Sequence, residues 1–169
     1  MNMSNATLKS NITNPARVYL WNVIIAQPVG GGDTTTLMLR CLTSELPGRS
    51  FGTIEVPYKQ GPNLQYSGKL KYDHTLACTF IESEDNKTFQ AFYNWCQSTI
   101  HDVTNIGAGD TDIKTDISLQ LITTKDEEYM QIKLKGCWVQ SMGKLSLDYS
   151  TEGVVMLPIT FRFDTWEKV

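Results

Sequence analysis

Cys96, His101 and Asp102 are the nearest approach to a catalytic constellation, a thiol with an imidazole and a carboxylate five and six residues on. Such a set would make a thiolate nucleophile with its base. Cys96, however, falls on the apolar stripe of an expected helix. That makes it a packed thiol, with His101 and Asp102 just past the helix end, where a charged imidazole is favourable. The only other histidine, His74, lies in the inward phase of an alternating run, where a hydrogen-bonded core or interface histidine is the expectation. Cys41, Cys78, Cys96 and Cys137 form no CxxC pair and no zinc spacing, so they read as reduced and space-filling. Gly107-Ala108-Gly109-Asp110 has the look of a phosphate-binding turn but precedes a strand and lacks a following lysine. It reads as a flexible loop. Trp21, Tyr66 and Tyr72 could stack on bases, yet no basic stripe accompanies them. Neither catalysis, a metal, a cofactor nor nucleic-acid recognition is the expectation.

The elements that would carry these residues are mostly strands. The chain has 169 residues, 41% of them hydrophobic and 20% charged, with a formal charge of -3. One ordinary core is expected, with weak repulsion of phosphate backbones. Residues 1–16 read as a polar, flexible arm, and 17–169 as one domain. No export signal or membrane anchor is expected.

Strands are expected at Arg17–Ile25, Thr35–Thr43 (Leu37, Leu39 and Cys41 on one face) and Phe51–Tyr58. Lys69–Ile81 follows as one long alternating strand, and Gly61-Pro62-Asn63 marks a loop or hairpin tip before it. One helix carries Phe89, Phe92, Tyr93, Cys96 and Ile100 on a single face, with Ser83 or Asp85 as its cap. His101–Thr115 is a long loop. Asp116–Thr123 and Glu128–Trp138 form a hairpin about Lys125-Asp126, and Gly143–Tyr149 and Val154–Asp164 add two strands. Pro158 in the last predicts an edge position or a bulge, because proline lacks a ladder donor. The fold class is mainly β: an antiparallel sandwich or barrel with one flanking helix.

The C-terminal third carries a resemblance. Lys135-Gly136-Cys137-Trp138, then Gly143-Lys144-Leu145-Ser146-Leu147-Asp148-Tyr149, then Phe161-Arg162-Phe163-Asp164-Thr165-Trp166 resemble the pattern of tail tube proteins of contractile-tailed bacteriophages. Leu46-Pro47-Gly48 and Phe92-Tyr93-Asn94-Trp95 are similar to that family as well. The likeness spans roughly residues 17–167. The Gly30-Gly31-Gly32 connection and the N-terminal arm depart from it and take no role from it.

The resemblance implies a fold shared with the type VI secretion tube protein and hexameric rings stacked into a hollow tube. It further implies a sheath, baseplate and tail terminator as partners, DNA passing without specific binding, and a place in the virion after synthesis in the host cytoplasm. A tube of a type VI-like or extracellular injection system, and a monomeric β-sandwich binding module, are the alternatives. On the tube reading, Tyr58, Lys59, Gln60, Gly61, Pro62, Asn63, Leu64, Gln65 and Tyr66 are expected to carry ring-to-ring contacts. Lys69, Lys71, Lys133 and Lys135, in the polar phase of two strands, are candidate lumen-facing residues, with Asp73 and Asp116 to offset them. Trp138 is expected to pack on the helix stripe.

Overall fold

The computed structural model describes Lys9 and residues 14–169, so most of the expected arm lies outside the described residues. The elements are β1 (Trp21–Ile25), α1 (Thr34–Arg40), β2 (Cys41–Ser44), β3 (Ser50–Val56), β4 (Leu64–Lys71), β5 (Thr75–Ile81), α2 (Lys87–Thr99), α3 (Asp110–Ile113), β6 (Thr115–Ile122), β7 (Glu128–Met142), β8 (Met156–Arg162) and β9 (Thr165–Lys168). Strands run in the order β1-β6-β7-β8-β5-β2, with β9 also on β7, while β3 and β4 form a separate two-stranded hairpin. All pairings are antiparallel, as the fold class requires.

The long strand β7 serves two halves. Its first part pairs with β6 and β9, and its last part with β8. Gly136 makes the change possible, because its φ of 66° lies in the left-handed region and the register against β6 slips there. A Cβ at that position would stand 2.2 Å from an Asp164 carboxylate oxygen. Leu134 and Cys137, three apart, are consequently both buried, and so is Val139. The inward phase therefore changes at the bulge. Trp138, expected against the helix, lies instead on the opposite face, paired with Arg162.

The tryptophan that fills the core is Trp95. With Phe80, Phe92 and Phe161 it forms an aromatic cluster, ring centroids 4.8 to 6.5 Å apart, and its Nε1 donates to the Ile113 carbonyl at 2.8 Å. Helix α2 buries Thr88, Ala91, Phe92 and Trp95, so its inward stripe is rotated from the expected one and leaves Tyr93 exposed. The residue at the N-cap is Asn86, with a φ of 53°, and not Ser83 or Asp85 as expected, and its side chain makes no cap bond; instead the Asp85 carboxylate accepts from the Lys87 amide and Glu82 from the Phe89 amide. Gly30 lies so close to α2 that a Cβ would meet the Ala91 carbonyl oxygen at 1.7 Å, which gives the triple-glycine connection its reason.

Four further expectations are corrected. Thr35–Thr43 is mainly helical: Asp33 caps α1 by accepting from the Thr36 amide at 2.8 Å. Leu37 and Cys41, four apart, share a face in either period, while Leu39, which only a strand would turn inward, is 74% exposed. Arg40 at the end of α1 makes a bidentate contact with Asp85 at 3.0 and 2.8 Å, which holds the Asp85 carboxyl down to about 2. Helices α1 and α3 thus join the one expected.

The expected long strand 69–81 is broken at His74, whose φ is 56°. Its Nδ1 lies 3.0 Å from the Phe163 carbonyl oxygen. Residues 143–149 form no strand: Asp148 closes a turn by accepting from the Ser150 amide. Pro158 sits in an interior strand, but its carbonyl accepts from Gly143 just past the end of β7, so the missing donor faces the point where that neighbour stops.

Phe92→Ala should cost about 3–5 kcal/mol, the range for an emptied aromatic core site. Trp138→Ala, on the outer face, should cost clearly less. Chemical denaturation of both variants checks the order, and equal losses would contradict this account of the core.

Candidate functional site

Two surfaces stand out. The first is the β3–β4 hairpin. Its register places Ile54 opposite Tyr66 and Val56 opposite Leu64 on one face, with Thr53 opposite Ser67 and Glu55 opposite Gln65 on the other. The hairpin is therefore amphipathic, yet the apolar four remain 42–55% exposed. A two-stranded hairpin has little independent stability in water, and an apolar face of this kind marks a contact surface.

The base of the hairpin is anchored on the body. The Arg49 guanidinium lies over the Trp166 ring at 4.0 Å, and Tyr72 meets both Trp166 and His74 edge-on. Of the expected contact loop, Tyr58 to Asn63 form the tip, whereas Leu64, Gln65 and Tyr66 belong to β4. Asn63 steadies the tip by donating to Glu55 at 2.7 Å.

The second surface is the outer face of β1, β6, β7 and β9. Across it run Ile24, Ser118, Lys133 and Glu167 in one row and Asn22, Gln120 and Gln131 in another. Its lysines carry their own acids: Lys133 contacts Asp116 at 3.1 Å and Lys135 contacts Glu167 at 2.7 Å. Near it Lys114 contacts Asp164 at 3.1 Å, and that carboxylate holds its ammonium above the ordinary range. The six candidate lumen residues are thus not one group. Asp116, Lys133 and Lys135 share this face, Lys69 and Lys71 lie on the hairpin, and Asp73 accepts from Thr75 at the break before β5. Glu167 is not legible in the sequence because only two residues separate its strand, β9, from β8.

The residues with catalytic types stay apart in their bonding. His101 accepts from the Val103 amide, Asp102 from Gln97, and burial pushes the Cys96 thiol up. Burial likewise pushes Cys137 up to about 12. Among the described residues no group of three or more His, Cys, Asp or Glu is placed to hold a metal ion, and no helix is long and apolar enough to cross a membrane.

The family model described as "Phage tail tube protein" matches residues 11–169. The chain belongs to the phage tail tube protein family. It is a structural tail tube subunit, a component of a virion or phage-like particle. Solved structures agree on the fold. The tube-terminating cap of the anti-feeding prophage superposes with a TM-score of 0.68 at 16% identity, over 92% of this chain and 91% of that one. The PVC sheath–tube complex of an extracellular contractile injection system gives 0.66 at 16% identity, over 99% of both chains. The SPP1 tail tube gives 0.52 at 13% identity, over 91% of this chain and 78% of that one. No curated protein sequence matches.

Removing the acids alone tests the charge balance of the polar face. The double variant Asp116→Asn, Glu167→Gln should be retained on a heparin matrix at low salt and released as salt rises, while the parent flows through. Exposed ion pairs contribute little to folding, so its melting should hardly change. Equal retention of both proteins would show that the lysines are not held in check by these carboxylates.

Proposed function

We propose that this tail tube protein closes into hexameric rings that stack into a hollow tube conducting DNA. The observation that carries the proposal is the amphipathic hairpin, whose apolar face stays about half exposed among the described residues and is completed by another copy. The polar face of β1-β6-β7-β9 supports the ring. Its edges, β1 and β9, run in opposite directions, so β9 of one copy meets β1 of the next as an antiparallel pair all the way round. Closure removes both edges.

With that sheet as the wall, the compensated lysines would line the channel and give a phosphate backbone no net cationic track to hold. Residues 17–169 act as a single domain, the polar segment 1–16 as an arm, and the role is mechanical, without catalysis. A sheath outside, a baseplate below and a terminator above are the partners this reading requires. The chain would be made in the host cytoplasm and end in the virion. The likeness to tubes and caps of extracellular injection systems favours a second reading, in which the same tube carries another cargo; nucleic acid in purified particles separates the two.

Negative-stain images of the purified protein at rising concentration should show rings and then tubes. Deleting Gln60 to Gln65 should leave the melting transition intact and stop growth at single rings. Monomers under every assembly condition would overturn the ring, and normal tubes from the deletion would overturn the hairpin's part in it.

A further inference from the structure

Strand pairing brings Cys41 in β2 and Cys78 in β5 side by side. The register runs Cys41 opposite Phe80, Thr43 opposite Thr79 and Ser44 opposite Cys78, so Leu42 is an extra residue, a bulge in an edge strand. Cys78 and Phe80 share the buried phase of β5, and Cys41, opposite Phe80, packs against the same core. The two cysteines are therefore diagonal neighbours on one face, with their thiols in hydrogen-bond contact. We propose that they form a reversible redox site: a peroxide converts them to a disulfide that fastens β2 to β5, and small thiols reopen it.

The surroundings give the two sulfurs different parts. The Cys41 thiol has the Thr43 carbonyl oxygen at 3.5 Å and the Cys78 sulfur within reach, and the Ser44 hydroxyl lies 3.4 Å from Cys78 Sγ. Hydrogen bonds from Cys41 and from Ser44 hold the Cys78 thiol below its ordinary range against the opposing effect of burial, while the contact with Cys78, and then burial, pushes Cys41 up. Cys78 is the sulfur that ionises first. Its thiolate attacks one oxygen of hydrogen peroxide, the O–O bond breaks, and a sulfenic acid is left on Cys78 with hydroxide released. The Cys41 sulfur then attacks the Cys78 sulfur, and the sulfenic hydroxyl leaves with the Cys41 proton as water. Two thiols and one peroxide give one disulfide and two waters. Burial pushes the other two thiols, Cys96 and Cys137, up, so they compete poorly for the oxidant.

Strand geometry makes the bond reversible. Diagonal neighbours in an antiparallel pair stand about 7–8 Å apart, beyond the roughly 4.4–6.8 Å between the Cα atoms of an unstrained disulfide. Closing the bond has to draw β2 inward by about an ångström, and the bulge at Leu42, on a strand with one neighbour, is where the backbone yields. A disulfide strained in this way is the readily reduced kind: two small thiols take it back to two cysteines and leave as a disulfide of their own. Cys41 and Cys78 flank residues 42–77, the excursion that carries β3 and β4. Oxidation therefore ties the neck of the hairpin, in a single subunit and without reference to any assembly.

Hydrogen peroxide titrated into the reduced, full-length protein tests the site. Thiol counting should fall by two of the four free thiols, peptide mapping should join the segments bearing Cys41 and Cys78, and dithiothreitol should restore all four. Hydrogen exchange of the β2 amides should slow on oxidation and recover on reduction. In Cys41→Ser, dimedone should trap a sulfenic acid on Cys78, whereas Cys78→Ala should leave Cys41 unmodified at the same dose. A disulfide through Cys96 or Cys137, or four thiols surviving a dose that oxidises free cysteine, would overturn the proposal. Dimedone on Cys41 in place of Cys78 would overturn the parts assigned to the two sulfurs. Should Cys78→Ala fail to fold, the Cys41→Ser chain decides alone, and an unmodified Cys78 in it would count against the site.

Discussion

The change of phase at Gly136 is the constraint on which the rest depends. A strand with uninterrupted alternation would continue inward from Leu134 to Gly136 and Trp138, and β7 could face the core along one half only. The left-handed turn at Gly136 lets Leu134 and Cys137 both point inward, so a single strand joins β6 and β9 on one side to β8 on the other. From this follow the enclosed core, the polar outer face bearing Lys133 and Lys135, and the free edges at β1 and β9. A fold with these properties presents a wall and two joints.

On the proposed reading, the hairpin supplies the energetic reason for assembly. Burying a large apolar side chain fully is worth about 1.5–3 kcal/mol, and Ile54, Val56, Leu64 and Tyr66 are each about half exposed. Covering the rest therefore offers on the order of 4 kcal/mol per copy before any cost of association. Alone that is too little to hold two subunits against lost translational and rotational freedom. Repeated around a ring, where one docking event places all the others, it becomes sufficient. Growth by whole rings would follow from the proposed assembly.

Much of this was legible in the sequence. The β class, the hairpin about Lys125-Asp126, the helix near Phe92, the inward residues of β8 and the family resemblance all come from side-chain period and motif order. The misses have specific causes. Leu37 and Cys41 fit either period, and the helical cap Asp33 lay hidden in what reads as a turn. Alternation runs straight through His74, which carries neither glycine nor proline to announce the break. The sequence does not place Trp138, because a glycine inside a strand can be a bulge or merely a weak position, and only the partner strand decides. The candidate contact loop was found by its Gly and Pro, but the amphipathic pairing that gives it meaning arises from cross-strand register, which no single segment contains.

Hydrogen exchange across assembly tests the central claim most directly. In the monomer the amides of β3 and β4 should exchange far faster than those of β5 to β8, since the apolar face of the hairpin is about half exposed among the described residues. In assembled tubes the hairpin should become as protected as the body, with the change centred on Ile54–Val56 and Leu64–Tyr66. Tubes in which the hairpin still exchanges as fast as in the monomer would contradict the account, whatever else holds the rings together.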